Sequence, residues 1–129
     1  MEPSTRQKLV DAAIAVRNSA HAPYSHFHVG AAVLTASGEV FAGCNVENAS
    51  YGLTICAERA AVCAAIAAGH KKLIAVAVAT AGGHSPCGAC RQVLSEFGPA
   101  MEVLLVDADE PSRVRTTTLD KLLPEQFSL

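Results

Sequence analysis

A large excess of charge of either sign is missing from this sequence: ten basic and twelve acidic side chains leave a formal net charge of -2 over 129 residues. Without a basic footprint, binding to polyanionic DNA or RNA has little electrostatic support. The opening MEPSTRQKLVDAA lacks a basic segment followed by an apolar stretch, so no secretory signal is expected. The longest apolar run, AAVCAAIAAG from Ala60, is too short and too alanine-rich for a bilayer span, which takes about 20 residues. Repeats, linkers and low-complexity segments are lacking too, which leaves one domain over residues 1–129. Cysteine is present, but in an odd number, five. An odd count without an export signal argues against a disulfide framework and towards metal binding or catalysis in the cytoplasm.

Half the residues are apolar, enough to close a core. Leu9, Val10, Ala13, Ile14 and Val16 recur at helical spacing after Pro3-Ser4-Thr5, predicting a first helix over about 5–19. Two β-like runs flank Ala36-Ser37-Gly38, the mark of a hairpin. Thr54 is expected to cap a second helix running to Gly69. Leu73 to Thr80, LIAVAVAT, is a continuous apolar run suited to a central strand buried on both faces. Ser85-Pro86 reads as cap and first residue of a third helix that Gly98-Pro99 ends. Glu102–Val106 and, more weakly, Arg113–Thr117 follow as strands, with a short closing helix over 118–123. Helices alternating with strands predict an α/β fold, a three-layer αβα sandwich around a mixed central sheet.

Spacing singles out three of the cysteines. Cys87 and Cys90 form a C-x-x-C at a helix start, where residues three apart share a face and both sulfurs can reach one ion. The partial positive charge of a helix N-terminus favours thiolates, the form that binds metal. Cys56 stands at a second expected helix start. Three thiolates converging from two helix ends make a zinc site, and three protein ligands leave a fourth corner for water, as in catalytic zinc centres. Glu58, two residues after Cys56, can face that water and carry its proton. On an ideal helix two positions apart point nearly opposite ways. The arrangement therefore requires Cys56 to be the helix cap or its first residue.

C-A-E at 56–58 followed by P-C-G-A-C at 86–90 resembles the all-cysteine form of the zinc deaminase signature. The segments PYSHFHVGAA, GCNVENASYG, TICAERAA, SPCGACRQVL and LLPEQFS resemble, in order, those of small tetrameric cytidine deaminases that act on free nucleosides. The likeness spans nearly the whole chain.

The resemblance implies one zinc per subunit, held by Cys56, Cys87 and Cys90, and hydrolysis of cytidine or 2′-deoxycytidine to the uridine with release of ammonia, in pyrimidine salvage. Zinc-bound hydroxide would attack C4 while Glu58 shuttles protons. Asn45 and Glu47 would bind the ribose, and Phe27 would pack near the substrate. The Ala57 N–H would meet the 2-oxo group, and the Ser85 carbonyl the departing amine. Phe127 would stack on the base in a neighbouring subunit of a homotetramer, with Tyr51 near the same boundary. Arg59 would offset the formal charge of about -1 on zinc with three thiolates.

Plainer readings stand beside these. A structural zinc would take His84 or Cys44 as a fourth ligand and leave Glu58 without a task. Cys44 and Cys63 read as small buried hydrophobes. His21, His26, His28 and His70 read as surface or turn residues. Asn45 and Glu47 alone are ordinary strand-end polar residues, Phe127 a terminal apolar anchor, and Phe27 a core residue alternating with Val29 and Ala31. Arg91 and Gln92 read equally well as helix-surface or packing residues. A deaminase of another cytosine-containing compound, such as blasticidin S, is the enzymatic rival; a non-catalytic zinc module is the other.

Overall fold

The computed structural model describes residues 1–129. In chain order it contains α1 (Pro3–Arg17), β1 (Gly30–Thr35), β2 (Val40–Cys44), a 3-10 turn (Tyr51–Leu53), α2 (Ala57–Ala67), β3 (Leu73–Thr80), α3 (Gly88–Phe97), β4 (Glu102–Asp107), β5 (Val114–Thr118) and α4 (Leu119–Leu122). The strands form one mixed sheet in the order β2-β1-β3-β4-β5. Only β3 and β4 run parallel, joined by the crossover through α3. The remaining neighbours are antiparallel.

Residues alternate between the two faces of the sheet. Ala32, Ala75, Ala77 and Ala79 lie on one face, where they join Leu9, Val10 and Ala13 of α1 in one apolar cluster. Ala31, Val33, Val76, Val78, Val103 and Leu105 lie on the other, packed with residues of α2, α3 and α4. Both faces are covered, so LIAVAVAT is apolar throughout, and alanine alternates with valine because the two faces meet different neighbours. The expected three layers are present.

Two glycines allow the close approaches. A methyl group on Gly30 would overlap the Ala13 carbonyl oxygen of α1, and one on Gly43 would overlap the Ala61 amide nitrogen of α2. Both helices thus lie nearly in backbone contact with the sheet.

Several expected boundaries shift. α1 begins at Pro3 with Glu2 as its cap, because proline already has the helical φ and no N–H to leave unpaired. Thr54 does not cap α2; it ends the 3-10 turn, and Cys56 is the cap. Ser85-Pro86 does not open α3; Cys87 is its cap and Gly88 its first residue. Cys63 is exposed rather than buried, because the buried stripe of α2 runs through Ala57, Glu58, Ala61, Val62 and Ala65. Cys44 is half-buried at the end of β2. The hairpin turn, with Gly38 at φ 92°, and the left-handed Gly69 after α2 lie where the sequence places them.

Candidate metal centre

Cys56, Cys87 and Cys90 come together, their Sγ atoms all within 4.8 Å of one another. Neither His84 nor Cys44 belongs to the cluster. Cys56 and Cys87 are the caps of α2 and α3, both with extended backbone, and Cys90 lies in the first turn of α3. Two helix N-termini therefore point at one group of sulfurs, each adding partial positive charge. With ψ at 151°, Cys56 is free of the helical direction, and this is how it can face the same space as Glu58.

The chemistry of this donor set fits zinc. Tetrahedral bonds of about 2.3 Å need sulfurs about 3.8 Å apart, within the observed spread. A hydrogen bond from the Cys90 thiol holds the Cys56 thiol down to about 5, opposed by burial and aided by the Arg59 guanidinium. The same bond, together with burial, pushes the Cys90 thiol up. Metal binding would displace these protons. Arg59 donates from Nη2 to Cys56 Sγ at 3.3 Å. Its Nε is buried without a partner, a cost that an anionic centre beside it would offset.

Glu58 is only 5% exposed although it carries a carboxyl. Burial pushes its pKa up, with a smaller push from Cys56. A carboxyl with a raised pKa in a closed site is suited to accepting and returning a proton.

Cys56, Cys87 and Glu58 open into a cavity of about 230 Å³, with Phe27, Asn45, Ala57, His84 and Ser85 also on its walls and Cys90 buried behind them. Phe27 is exposed rather than core, its ring 6.0 Å from that of His84. Asn45 is buried; its Oδ1 accepts from the Val29 N–H at 2.9 Å and its Nδ2 donates to the Phe27 carbonyl at 2.8 Å. One amide hydrogen of Asn45 remains for a ligand.

Glu47 is placed differently. Its carboxylate accepts the Tyr24 and Ser25 N–H groups and the Ser25 hydroxyl, which hold its pKa down. It lines an adjoining cavity of about 310 Å³ with Tyr24, Ser25, Tyr51 and Thr54. Thr54 lines both cavities, which are therefore neighbours. Tyr51 is 72% exposed, with its ring near that of Tyr24. Phe127 is 69% exposed and lies against Gln92 and Ser95 of α3, outside both cavities. Within one chain, eight of the eleven residues other than Phe127 therefore gather at the thiol cavity or its ligands, Arg59 stands behind Cys56, and Glu47 and Tyr51 occupy the annex.

Sequence reasoning missed Thr54 as a wall shared by the two cavities, and Thr80, whose buried side-chain Oγ1 accepts the His84 N–H at 2.7 Å and shapes the loop before the C-x-x-C. It considered His84 only as a metal ligand, whereas the ring forms a cavity wall. A threonine at a strand end four residues before that histidine was the available signal.

A family model described as "Cytidine and deoxycytidylate deaminase zinc-binding region" matches residues 3–106. A probable cytidine deaminase of Dictyostelium discoideum is 47% identical over 131 residues, covering 99% of this chain and 87% of that protein. A cytidine deaminase of Mycobacterium tuberculosis is 51% identical over 112 residues, covering 85% and 80%. The crystal structure of a cytidine deaminase from Burkholderia pseudomallei superposes with a TM-score of 0.88 at 49% identity, covering 98% of this chain and all of that one. With fold, sequence and cysteine cluster in agreement, the chain belongs to the cytidine deaminase family of hydrolytic enzymes.

Proposed function

We propose that this chain, acting as one domain over residues 1–129, hydrolyses cytidine and 2′-deoxycytidine to uridine and 2′-deoxyuridine in cytoplasmic pyrimidine salvage. The observation that carries this reading is the buried Glu58 beside three sulfurs on the wall of a cavity sized for a base. The annex reached past Thr54 gives room for the sugar, where the free Asn45 amide hydrogen and Glu47 would meet ribose hydroxyls. No helix is long and apolar enough to cross a membrane.

Cys56, Cys87 and Cys90 would hold one zinc per chain. Zinc bound there would supply the Lewis acidity that makes water a competent nucleophile near neutral pH. Glu58 takes a proton from the attacking water and delivers it to N3 as the C4–O bond forms. The same carboxyl then moves the remaining hydroxyl proton to the 4-amino group; the C4–N bond breaks and ammonia leaves. The Ala57 N–H, at the start of α2, would orient the 2-oxo group, and the Ser85 carbonyl would receive the amine. Arg59 would draw charge from the sulfurs through its bond to Cys56.

Phe27 and His84 are the aromatic side chains that this chain supplies to the cavity wall. The exposed ring of Phe127, with exposed Tyr51, Leu53 and Ile55, supports assembly as a homotetramer in which Phe127 closes a neighbouring copy's cavity. An ultraviolet assay of cytidine loss, with and without chelator, tests the reading. Chelator-sensitive turnover restored by zinc is expected; absence of turnover by zinc-replete protein would overturn it.

A further inference from the structure

α3 carries more than one metal ligand. From its outer side Arg91 makes three hydrogen bonds: Nε to the Pro86 carbonyl at 2.7 Å, Nη2 to Ser85 Oγ at 3.1 Å, and Nη1 to the Leu122 carbonyl at 2.7 Å. The first two grip Pro86 and Ser85, the latter a residue of the cavity wall just before Cys87. The third reaches thirty-one residues along the chain to the last residue of α4, where the C-terminal segment begins.

That segment is fastened at two more points. Gln92 Nε2 donates to the Phe127 carbonyl at 3.2 Å, and Gln126 Nε2 donates to the Pro99 carbonyl at 2.8 Å, just past the end of α3. Between the fastenings Glu125 has φ of 51°, a left-handed conformation that a non-glycine residue holds only when its surroundings impose it. The Phe127 ring itself stays exposed, its main chain held and its side chain turned outward.

We infer that Arg91 and Gln92 are paired positioning residues. Arg91 fixes the Ser85 wall of its own cavity, through Ser85 and Pro86, to the root of the C-terminal segment, and Gln92 fixes the height at which that segment presents Phe127 to a neighbouring copy. This rests on the deaminase reading of Ser85 and Phe127. One helix then sets the position of an acceptor for the leaving amine in one site and of a stacking ring for the next. The two residues act on different steps. Loss of the Arg91 bonds loosens the acceptor used as the C–N bond breaks and lowers kcat. Loss of the Gln92 bond loosens a ring that contacts bound substrate and raises KM.

The test uses the full-length, zinc-loaded protein and the variants Arg91→Lys and Gln92→Met. Lysine keeps the charge but cannot reach three acceptors in a planar fork, and methionine keeps the shape but loses the donor. Arg91→Lys is expected to lower kcat about tenfold with KM within about threefold, and Gln92→Met to raise KM about fivefold with kcat within about twofold. Zinc content should stay at the wild-type value in both, and backbone amides of residues 123–129 should exchange faster with solvent in Gln92→Met. Unchanged exchange of that segment, with cytidine turnover intact in wild type, would overturn the clamp alone. A fall in activity that tracks zinc loss in both variants would reduce these residues to ordinary structural ones and overturn it as well. Wild-type protein inactive on cytidine would instead overturn the proposed reaction and the kinetic half of this inference, the exchange readout still deciding the clamp.

Discussion

Glu58 carries an energetic conflict. Burial favours its neutral form, so its penalty on the folded, metal-free protein grows as pH rises above the ordinary glutamate value near 4.3 and is full once the raised folded value is passed. Glu58→Gln removes that conflict and the proposed proton shuttle together. Turnover is expected to fall by about 10²- to 10⁴-fold while zinc is retained and the metal-free thermal midpoint at neutral pH is not lowered. Normal turnover in this variant would remove Glu58 as the proton carrier. Arg59 works through the sulfur it touches. Arg59→Ala should weaken zinc retention or turnover by about 10- to 100-fold, read by metal titration and steady-state rates; no change in either would remove its role. Glu58 was legible in the sequence because its distance from the cysteines is dictated by metal chemistry, whereas the role of Arg59 came from the family resemblance. Arg91 was not legible, since its three acceptors are main-chain and hydroxyl groups that any sequence offers.

The elements place this chemistry by bringing two helix starts to one end of the sheet. The central strands β1, β3 and β4 read well, because they are apolar on both faces and bounded by turn residues, whereas the edge strand β5, VRTTT, reads weakly. Helix starts read less well: Thr54 and Ser85 look like better caps than Cys56 and Cys87, yet the cysteines take the cap geometry without any side-chain cap bond. Their sulfurs gather with Cys90 at one point instead. α2 depends on Gly43 beneath it. Gly43→Ala should cost about 1–3 kcal/mol in denaturant unfolding and lower zinc retention by displacing α2; a neutral result would contradict the close contact.

The loop into α3 depends on Asp107, which accepts the Gly82 and Asp109 N–H groups at 3.0 Å each. The Gly82 bond is the larger influence holding its carboxyl below the ordinary range, with the Asp109 bond next. Such a group contributes stability that is fully present above the unfolded value near pH 3.9 and lost as pH falls through the lower folded one. The difference in thermal midpoint between wild type and Asp107→Asn should therefore be steady near neutrality and shrink in acid below about pH 4. A difference that persists there would contradict this role.

Assembly is the property that a lone chain expresses least. The sequence gives Phe127 no neighbour, and the fold leaves its ring pointing away from its own cavity. The resemblance supplied its role, because an intersubunit contact leaves no periodicity in a single chain. Native mass measurement should give four copies, and Phe127→Ala should raise KM about tenfold, since loss of a base–aromatic stack is worth about 1–3 kcal/mol. A fully active monomer would remove the shared-site reading.

Zinc K-edge X-ray absorption of the purified, active protein examines the centre itself. Three sulfur neighbours near 2.3 Å and one lighter oxygen neighbour near 2.0 Å are expected. A fourth sulfur, or the multiple-scattering pattern of an imidazole, would close the corner beside Glu58 and contradict a water-activating centre.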